Sequence, residues 1–231
     1  MDALIFDFDG VVVNSEPVHF ACFKQVLAEE GIELTSDEYY GKYLGFDDFD
    51  CFDRAMAEHA RQLGPRRILD LIARKTACVK EQYARGIELM PGAMDLILSA
   101  RAADIPTAVC SGALRREIEL AAKNAGVWDC FHAVVSAEDV EHSKPDPEGY
   151  RQALSKLCRL TGRALCADRS IVIEDSPAGI AAAHAAGMKV VGLTGSRPAA
   201  ELSQADRVVA SLADVTIAKL EEIIQIGTVP I

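Results

Sequence analysis

Two carboxylates stand one residue apart near the start of the chain, where an apolar segment ends. Asp7 and Asp9 follow residues 4–6 (Leu-Ile-Phe), a segment that is hydrophobic at every position, as in a parallel strand covered by helices on both faces. Because ligands bind at the carboxyl ends of strands in open α/β sheets, this position favours a functional role. The alternative is an ordinary polar turn, since Asp9-Gly10 is a common turn dipeptide.

Further polar groups occur at the ends of later apolar segments. They are, in chain order, Ser111 with Gly112, then Lys144, then the acidic pair Glu174 and Asp175. The lysine lies in the loop His-Ser-Lys-Pro-Asp-Pro, in which two prolines prevent a continuous helix. Each group also has a structural explanation, as a helix cap or a solvated loop charge. Together they form the set that metal-assisted phosphoryl transfer requires.

This set carries an excess of negative charge. A phosphate monoester brings about two negative charges, and Asp7, Glu174 and Asp175 add more. Two unit charges about 4 Å apart repel by about 4 kcal/mol at a surface-like dielectric constant, so a cation is needed. Oxygen ligands from carboxylates and a backbone carbonyl suit Mg²⁺. Lys144 supplies a second positive charge against the phosphate, and Ser111 supplies a neutral donor.

The two aspartates of the first segment predict two different roles. With its charge masked by the cation, Asp7 can attack phosphorus and form an aspartyl phosphate, which divides hydrolysis into two displacements. Asp9 can then protonate the leaving oxygen and later take a proton from the attacking water. Such a pair works only if the environments of the two carboxyl groups differ.

Four stretches of the chain carry a family resemblance. They are Asp7-Phe-Asp9-Gly-Val-Val, Ser111-Gly112, Lys144-Pro145 and Glu174-Asp175-Ser-Pro-Ala-Gly179. They resemble the four motifs of the haloacid dehalogenase superfamily of phosphatases and phosphomutases, and the resemblance covers almost the whole chain. The stretch 173–187 is typical of the subgroup that contains β-phosphoglucomutase and small sugar-phosphate phosphatases.

The resemblance implies a role for each motif residue. It implies an Asp7 nucleophile, an Asp9 acid/base and a Mg²⁺ ion. The implied metal ligands are Asp7, the Asp9 carbonyl, Glu174 and Asp175. The implied phosphoryl-binding residues are Ser111, Gly112 and Lys144.

The elements that must position these residues alternate between strands and helices, which implies a parallel sheet. After the first strand, the predicted strands are 106–110, 133–136, 170–174, 189–193 and 207–209. The resemblance implies an α/β fold with a Rossmann-like core, helices on both faces of the sheet, and an inserted all-helical cap. The core is expected to comprise residues 1–14 and 88–231 and the cap residues 15–87. Closure of such a cap would exclude water and select the substrate.

Three residues are candidate substrate contacts. His19 falls where β-phosphoglucomutase-like proteins carry a histidine that assists the acid/base, and Lys75 falls near a cap lysine of that family. Arg115 follows shortly after Ser111. Each of the three can equally serve an ordinary structural role on a helix surface.

One segment distinguishes hydrolysis from isomerisation. Asp47 and Asp48 stand where the mutases carry a cap arginine for the distal phosphate, and two carboxylates there repel a second phosphate. The sequence therefore favours hydrolysis of a small monophosphate, a sugar phosphate, with a sugar phosphomutase as the alternative. A phospho-accepting signalling or binding module without turnover is the alternative of another class, although receiver domains are shorter and place the accepting aspartate on a later strand.

Composition limits the partners and the location. The net charge of −11 argues against nucleic acid and anionic membranes as partners, but not against a small phosphorylated substrate. No segment approaches 18 apolar residues, and the start of the chain does not resemble a signal peptide, so we expect a soluble cytoplasmic protein. The seven cysteines show no Cys-x-x-Cys spacing and are expected to be free thiols. The oligomeric state is not determined by the sequence, and a monomer is the default expectation.

Overall fold

A six-stranded parallel sheet lies at the centre of the fold, in the order β3-β2-β1-β4-β5-β6. The structure is a computed structural model that describes residues 1–44, 46 and 48–226. The strands are β1 (Ala3–Phe6), β2 (Thr107–Cys110), β3 (Ala133–Val135), β4 (Ser170–Glu174), β5 (Lys189–Leu193) and β6 (Arg207–Val209). All five strand pairings are parallel. The predicted α/β fold class is confirmed.

The helices of the described residues are, in chain order, α1 (Glu16–Glu29), α2 (Ser36–Glu38), α3 (Asp48–Glu58), α4 (Pro65–Arg85), α5 (Ala93–Ala102), α6 (Arg115–Asn124), α7 (Glu148–Thr161), α8 (Pro177–Ala185) and α9 (Ile217–Ile226). A π-helical turn, Tyr39–Tyr43, follows α2. Short 3₁₀ turns occur at Trp128–Cys130, Ala137–Asp139, Ala167–Arg169 and Leu212–Asp214. In the described residues, no helix combines the length and the apolar character that crossing a bilayer would require.

The central strand β1 is apolar at every position because both faces of the sheet are covered there. Every residue of β1 is fully buried. Ala3 and Ile5 pack in one hydrophobic cluster with residues of α7 and α8, and α5 contacts β2. A strand buried on both faces has no polar side, which accounts for the continuous apolar segments in the sequence.

The register of the central strands aligns their carboxyl ends. Phe6 pairs with Val109 of β2 and with Ile173 of β4. Asp7 continues this ladder, because its N–H donates to the Ile173 carbonyl at 2.9 Å. The residues that follow β1, β2 and β4 therefore come together at one edge of the sheet.

The chain divides into two compact units. One comprises Met1–Asn14 and the segment from Gly86 onward, and the other is Ser15–Arg85. The boundaries expected from the sequence were 14/15 and 87/88. The smaller unit is helical and has its own core, in which the Phe23 and Phe52 rings lie 4.8 Å apart.

One expectation about the cysteines is wrong. Cys22 on α1 and Cys78 on α4 form a disulfide, with their Cα atoms 5.7 Å apart. The two helices pack against each other, so two cysteines 56 residues apart in sequence become neighbours. Their spacing has no motif, and the packing of α1 on α4 alone brings them together. The other five cysteines are free thiols.

Candidate active site

The candidate site begins with Asp7, which directly follows β1. The residue as a whole is 7% exposed. The Lys144 Nζ atom donates to Asp7 Oδ1 at 2.5 Å and to Glu174 Oε1 at 2.6 Å. The structure thus brings three of the predicted site residues into direct contact, although they are 137 and 30 residues apart in sequence.

Burial and charge shift the ionisation of this group. Burial raises the pKa of Asp7 well above its ordinary value, and Glu174 and Asp175 raise it further, against the lowering effect of Lys144. Burial also acts on Glu174, but there Lys144 and Ser176 outweigh it, so that the pKa of Glu174 is lowered. Burial lowers the pKa of Lys144, whereas Asp7 and Glu174 raise it well above its ordinary value, so Lys144 is an ammonium ion.

Asp175 is a second buried carboxylate at the end of β4. Burial and the neighbouring Glu174 raise the pKa of Asp175 to about 7. The Ser196 hydroxyl donates to Asp175 Oδ2. Gly10 lies against the same oxygen, because a Cβ atom at Gly10 would stand only 2.2 Å from Asp175 Oδ2. The backbone that follows Asp9 therefore reaches Asp175, and a side chain at residue 10 would block this approach.

Both oxygens of the Glu174 carboxylate accept hydrogen bonds from protein donors. Its Oε2 atom accepts hydrogen bonds from the Asp175 N–H (2.8 Å), the Ser176 N–H (2.8 Å) and the Ser176 hydroxyl (2.9 Å). Its Oε1 atom accepts from Lys144 and from the Tyr150 hydroxyl at 3.0 Å. In the described residues, no three acidic, histidine or cysteine side chains are grouped to hold a metal.

The predicted phosphoryl-binding residues line one cavity of the larger unit. Ser111, Gly112 and Lys144 contribute to this cavity of about 190 Å³. The Ser111 hydroxyl oxygen accepts a hydrogen bond from the Ala113 N–H at 3.0 Å, which leaves its own proton available to an acceptor. Cys110, also in the wall, is a neutral thiol because burial raises its pKa to about 12.

The Arg115 side chain binds two groups of the protein itself. Its guanidinium donates to the Asp139 carboxylate at 2.7 Å and to the Val134 carbonyl at 3.0 Å. These bonds connect the start of α6 to β3 and the turn that follows it. The geometry supports a structural role for Arg115 rather than a substrate contact.

His19 and Lys75 lie in the smaller unit. The Lys75 side chain is 4% exposed, and its Nζ atom pairs with Asp48 Oδ1 at 2.5 Å and lies 4.3 Å from the centre of the Phe23 ring. Burial, with a contribution from the Lys75 charge, lowers the pKa of His19 to about 3, so His19 is neutral. Its Nδ1 atom is buried without a hydrogen-bond partner in the described part of the chain. Asp47 lies outside the described residues.

Sequence reasoning missed three residues of the candidate site. Tyr150, Ser176 and Ser196 each donate a hydroxyl to one of the buried carboxylates. Ser176 was visible in the Glu174-Asp175-Ser-Pro stretch as a helix cap. The partners of Tyr150 and Ser196 depend on tertiary packing, and no spacing in the sequence indicates them.

Known proteins resemble the chain over nearly its full length. The profile of the family described as haloacid dehalogenase-like hydrolase matches residues 4–193. A validoxylamine A 7'-phosphate phosphatase from Streptomyces hygroscopicus subsp. limoneus is 30% identical, over 91% of this chain and 94% of its own.

Two solved structures extend the comparison. A haloacid dehalogenase family hydrolase from Deinococcus radiodurans R1, with bound phosphate and sodium, is 30% identical, with a TM-score of 0.79 and 96% of both chains covered. CbbY from Rhodobacter sphaeroides, in complex with xylulose-(1,5)bisphosphate, is 27% identical, with a TM-score of 0.77, 96% of this chain covered and 99% of that one. The family match and the relatives named as phosphatases indicate a phosphoric monoester hydrolase. The chain belongs to the haloacid dehalogenase-like hydrolase family.

Proposed function

We propose that the chain is a Mg²⁺-dependent phosphatase that hydrolyses a small phosphorylated metabolite, a sugar phosphate, through an aspartyl phosphate on Asp7. The observation that carries the proposal is the contact between the Lys144 ammonium and Asp7 at the carboxyl end of β1. A phosphoryl group bound to Lys144 therefore lies next to the Asp7 oxygens. This proximity places the nucleophile beside phosphorus before reaction.

The charge balance of the site supports a divalent cation. Within the described residues, Lys144 forms ion pairs with Asp7 and with Glu174. With Asp175, the site therefore has three carboxylates and one positive charge. Burying unpaired carboxylates is costly, and an added double charge would offset that cost. Asp7, Asp175 and the Asp9 carbonyl offer the oxygen ligands that Mg²⁺ prefers. When bound, Mg²⁺ would neutralise the phosphate and the nucleophile during transfer.

Glu174 receives a different role from the one expected. Its two oxygens already accept five hydrogen bonds, so we assign it to holding Lys144 and the start of α8. The close approach of Gly179 fits this assignment, because a Cβ atom there would stand 1.6 Å from Glu174 Oε1.

The reaction steps follow from the side chains present. Asp7 attacks phosphorus, while Lys144, the Ser111 hydroxyl and the Gly112 N–H bind the phosphoryl oxygens. Asp9 donates a proton to the leaving oxygen, and its carboxylate then accepts a proton from the water that hydrolyses the aspartyl phosphate. The expectation that the smaller unit serves as a cap, with His19 and Lys75 as candidate substrate contacts, is part of this proposal.

The smaller unit favours a monophosphate. Lys75 is paired with Asp48 at 2.5 Å, so its charge is already neutralised by a carboxylate. A second phosphate that used Lys75 as its cationic partner would have to displace that carboxylate. The similar CbbY structure holds a bisphosphate; in this chain the Asp48–Lys75 pair supports a substrate whose distal part is uncharged, as in a sugar monophosphate.

The proposal is tested by phosphate release. The purified protein should hydrolyse an aryl phosphate and sugar monophosphates in the presence of Mg²⁺, and chelation should abolish turnover. Asp7→Asn should remove turnover while the circular dichroism spectrum and the melting temperature stay close to those of the unmodified protein. Turnover that survives chelation would refute the metal requirement, and an active Asp7→Asn variant would refute the assigned nucleophile.

A sugar phosphomutase is the second candidate, because the stretch 173–187 is typical of the subgroup that contains β-phosphoglucomutase. Incubation with a hexose 1-phosphate and a catalytic amount of hexose bisphosphate separates the two functions. We expect free phosphate and no 6-phosphate. Rapid formation of the 6-phosphate would favour the mutase. The cytoplasmic location and the monomeric state remain predictions.

A further inference from the structure

Tyr150 is a fully buried side chain of α7 with a polar partner. Its exposed fraction is 0%. The Tyr150 hydroxyl donates to Glu174 Oε1 at 3.0 Å, and the Lys144 Nζ atom lies 5.1 Å from the centre of the Tyr150 ring. Tyr150 therefore touches Lys144 with its ring and touches the carboxylate that binds Lys144 with its hydroxyl.

Lys144 depends on such contacts because it lies on a loop. The lysine side chain has four rotatable bonds and a spherical charge, so its contacts determine where the ammonium group stands. Two of its contacts, Glu174 and the Tyr150 ring, are buried groups of the core, and the third is Asp7. When a bound phosphoryl group also interacts with the Lys144 ammonium, the contacts with Glu174 and Tyr150 remain and hold the lysine side chain in place.

The Tyr150 hydroxyl also determines how Glu174 presents its oxygens. One oxygen of Glu174 accepts from both Tyr150 and Lys144, and the other accepts from the start of α8. The Tyr150 hydroxyl and the three donors on the other oxygen together hold the carboxylate in one orientation. Without the Tyr150 donor, the shared oxygen accepts from Lys144 alone, and the angle between the carboxylate and the ammonium is less constrained.

We propose that Tyr150 is a positioning residue of the phosphoryl site, which fixes Lys144 through the hydrogen bond to Glu174 and through its ring. This inference rests on the proposed function. The competing explanation is that Tyr150 only fills the core beside Ala153 and Leu157. A phenylalanine would fill the same space, so the hydroxyl separates the two explanations.

The experiment compares Tyr150→Phe, Tyr150→Leu and Thr107→Val. Tyr150→Phe removes only the hydroxyl, and Tyr150→Leu also removes the ring. Thr107→Val is the matched control, since Thr107 is 0% exposed and its hydroxyl donates to the Cys130 carbonyl at 2.8 Å, at the opposite end of β2 from Ser111. The readouts are the dissociation constant of inorganic phosphate by calorimetry, KM and kcat with an aryl phosphate, and the melting temperature.

A positioning role predicts a change in phosphate affinity that stability does not explain. Tyr150→Phe should bind phosphate about 3- to 10-fold more weakly and raise KM by a similar factor, which corresponds to one lost hydrogen bond, while kcat falls by a smaller factor. Tyr150→Leu should weaken phosphate binding further. Thr107→Val should lower the melting temperature but leave phosphate affinity unchanged. Phosphate affinity of Tyr150→Phe within twofold of the unmodified protein would overturn the proposal.

A second readout does not depend on activity. The ¹⁵N resonance of the Lys144 ammonium, assigned by its absence from Lys144→Arg, reports how firmly the ammonium is held. It should shift and broaden in Tyr150→Phe and not in Thr107→Val; an unchanged resonance would overturn the proposal. If the unmodified protein neither binds nor releases phosphate, the proposed function fails, and this resonance alone decides the role of Tyr150.

Discussion

At the scale of single residues, the two aspartates of the first motif differ in their surroundings. Asp7 is buried and paired with Lys144, whereas Asp9 lies in a half-buried turn. A carboxylate paired with an ammonium is suited to attack phosphorus, because its charge is balanced before the phosphate arrives. A more exposed carboxyl group can exchange protons with the leaving group and with water.

This division of roles predicts that the effect of Asp9→Asn depends on the leaving group. A sugar alkoxide needs a proton to leave, so kcat/KM for a sugar phosphate should fall by about 10²- to 10⁴-fold. A nitrophenolate leaves without protonation, so kcat/KM for nitrophenyl phosphate should fall far less. Rapid-mixing kinetics with this substrate should show a burst of about one nitrophenolate per enzyme followed by slow turnover, since the variant also lacks the base for the second step.

Asp7→Asn is the matched control for this experiment, because it should be inactive toward both substrates and give no burst. An Asp9→Asn variant that loses the same factor with the sugar phosphate and with nitrophenyl phosphate would contradict the acid/base role of Asp9.

At the scale of secondary-structure elements, Asp139 connects three parts of the core. It accepts hydrogen bonds from the Ser136 N–H (2.8 Å) after β3, from Arg115 (2.7 Å) on α6 and from Lys156 (3.2 Å) on α7. Burial raises the pKa of Asp139, but these donors outweigh burial and lower the pKa well below its ordinary value. The carboxylate therefore stabilises the folded state when it is ionised.

Asp139→Asn should lower the free energy of unfolding at pH 7 by about 1–3 kcal/mol, because charge-assisted hydrogen bonds are lost. The pKa of Asp139 is lower in the folded protein than in the unfolded protein. The stabilisation is therefore complete above about pH 5 and is lost as the pH falls below the ordinary carboxyl value of about 4. Urea unfolding at several pH values should show the difference between the two proteins shrinking toward low pH.

Asp104→Asn is the control for Asp139→Asn, since the Asp104 side chain is 100% exposed. It should change the free energy of unfolding by less than about 0.5 kcal/mol at every pH. A difference between Asp139→Asn and the unmodified protein that stays constant from pH 7 to pH 3 would contradict the assigned ionisation.

The helix pair α1 and α4 carries the other prediction at this scale. A disulfide between Cys22 and Cys78 spans 56 residues, and in the chain-entropy estimate it stabilises the folded state by about 4 kcal/mol. Reduction should therefore lower the melting temperature of the oxidised protein, and Cys22→Ala should be insensitive to reductant. Peptide mass mapping without reductant should find the two cysteines linked. Alkylation of both cysteines in the unfolded, unreduced protein would contradict the pairing.

At the scale of the whole molecule, the strands and the positions after them were predictable, and the side-chain partners were not. Asp7, Ser111 and Glu174 were found because each follows or ends a fully buried apolar segment, and parallel strands align such ends at one edge. The network around Glu174 could not be found, since the Tyr150 hydroxyl meets it only when α7 packs on the sheet.

Two further interactions could not be predicted, for the same reason. They are the ion pair between Arg115 and Asp139 and the disulfide between Cys22 and Cys78. Both depend on which helix or strand lies next to another, and the periodicity of a sequence does not specify this. Periodicity indicates which face of an element is buried, whereas a specific contact also requires the register between two elements.

The protein as a whole has a net charge of −11, and this charge determines the control that a test of Mg²⁺ binding needs. Any added salt screens the self-repulsion of an acidic protein, so the specific effect of Mg²⁺ is its effect beyond NaCl at equal ionic strength. Mg²⁺ at about 100 times its dissociation constant should add about 2.7 kcal/mol of stability and raise the melting temperature by about 5–10 °C.

Asp175→Asn should abolish this specific increase in stability, because it removes a ligand of the metal. Without metal, the same variant should melt at a higher temperature than the unmodified protein, because the neutral amide would not repel the Glu174 carboxylate. The opposite signs of the two effects distinguish a metal ligand from a residue that only supports the fold, since a purely structural Asp175 would lose stability in both conditions. Scanning calorimetry with Mg²⁺ or with matched NaCl measures both effects, and an equal Mg²⁺ shift in the two proteins would remove Asp175 from the metal site.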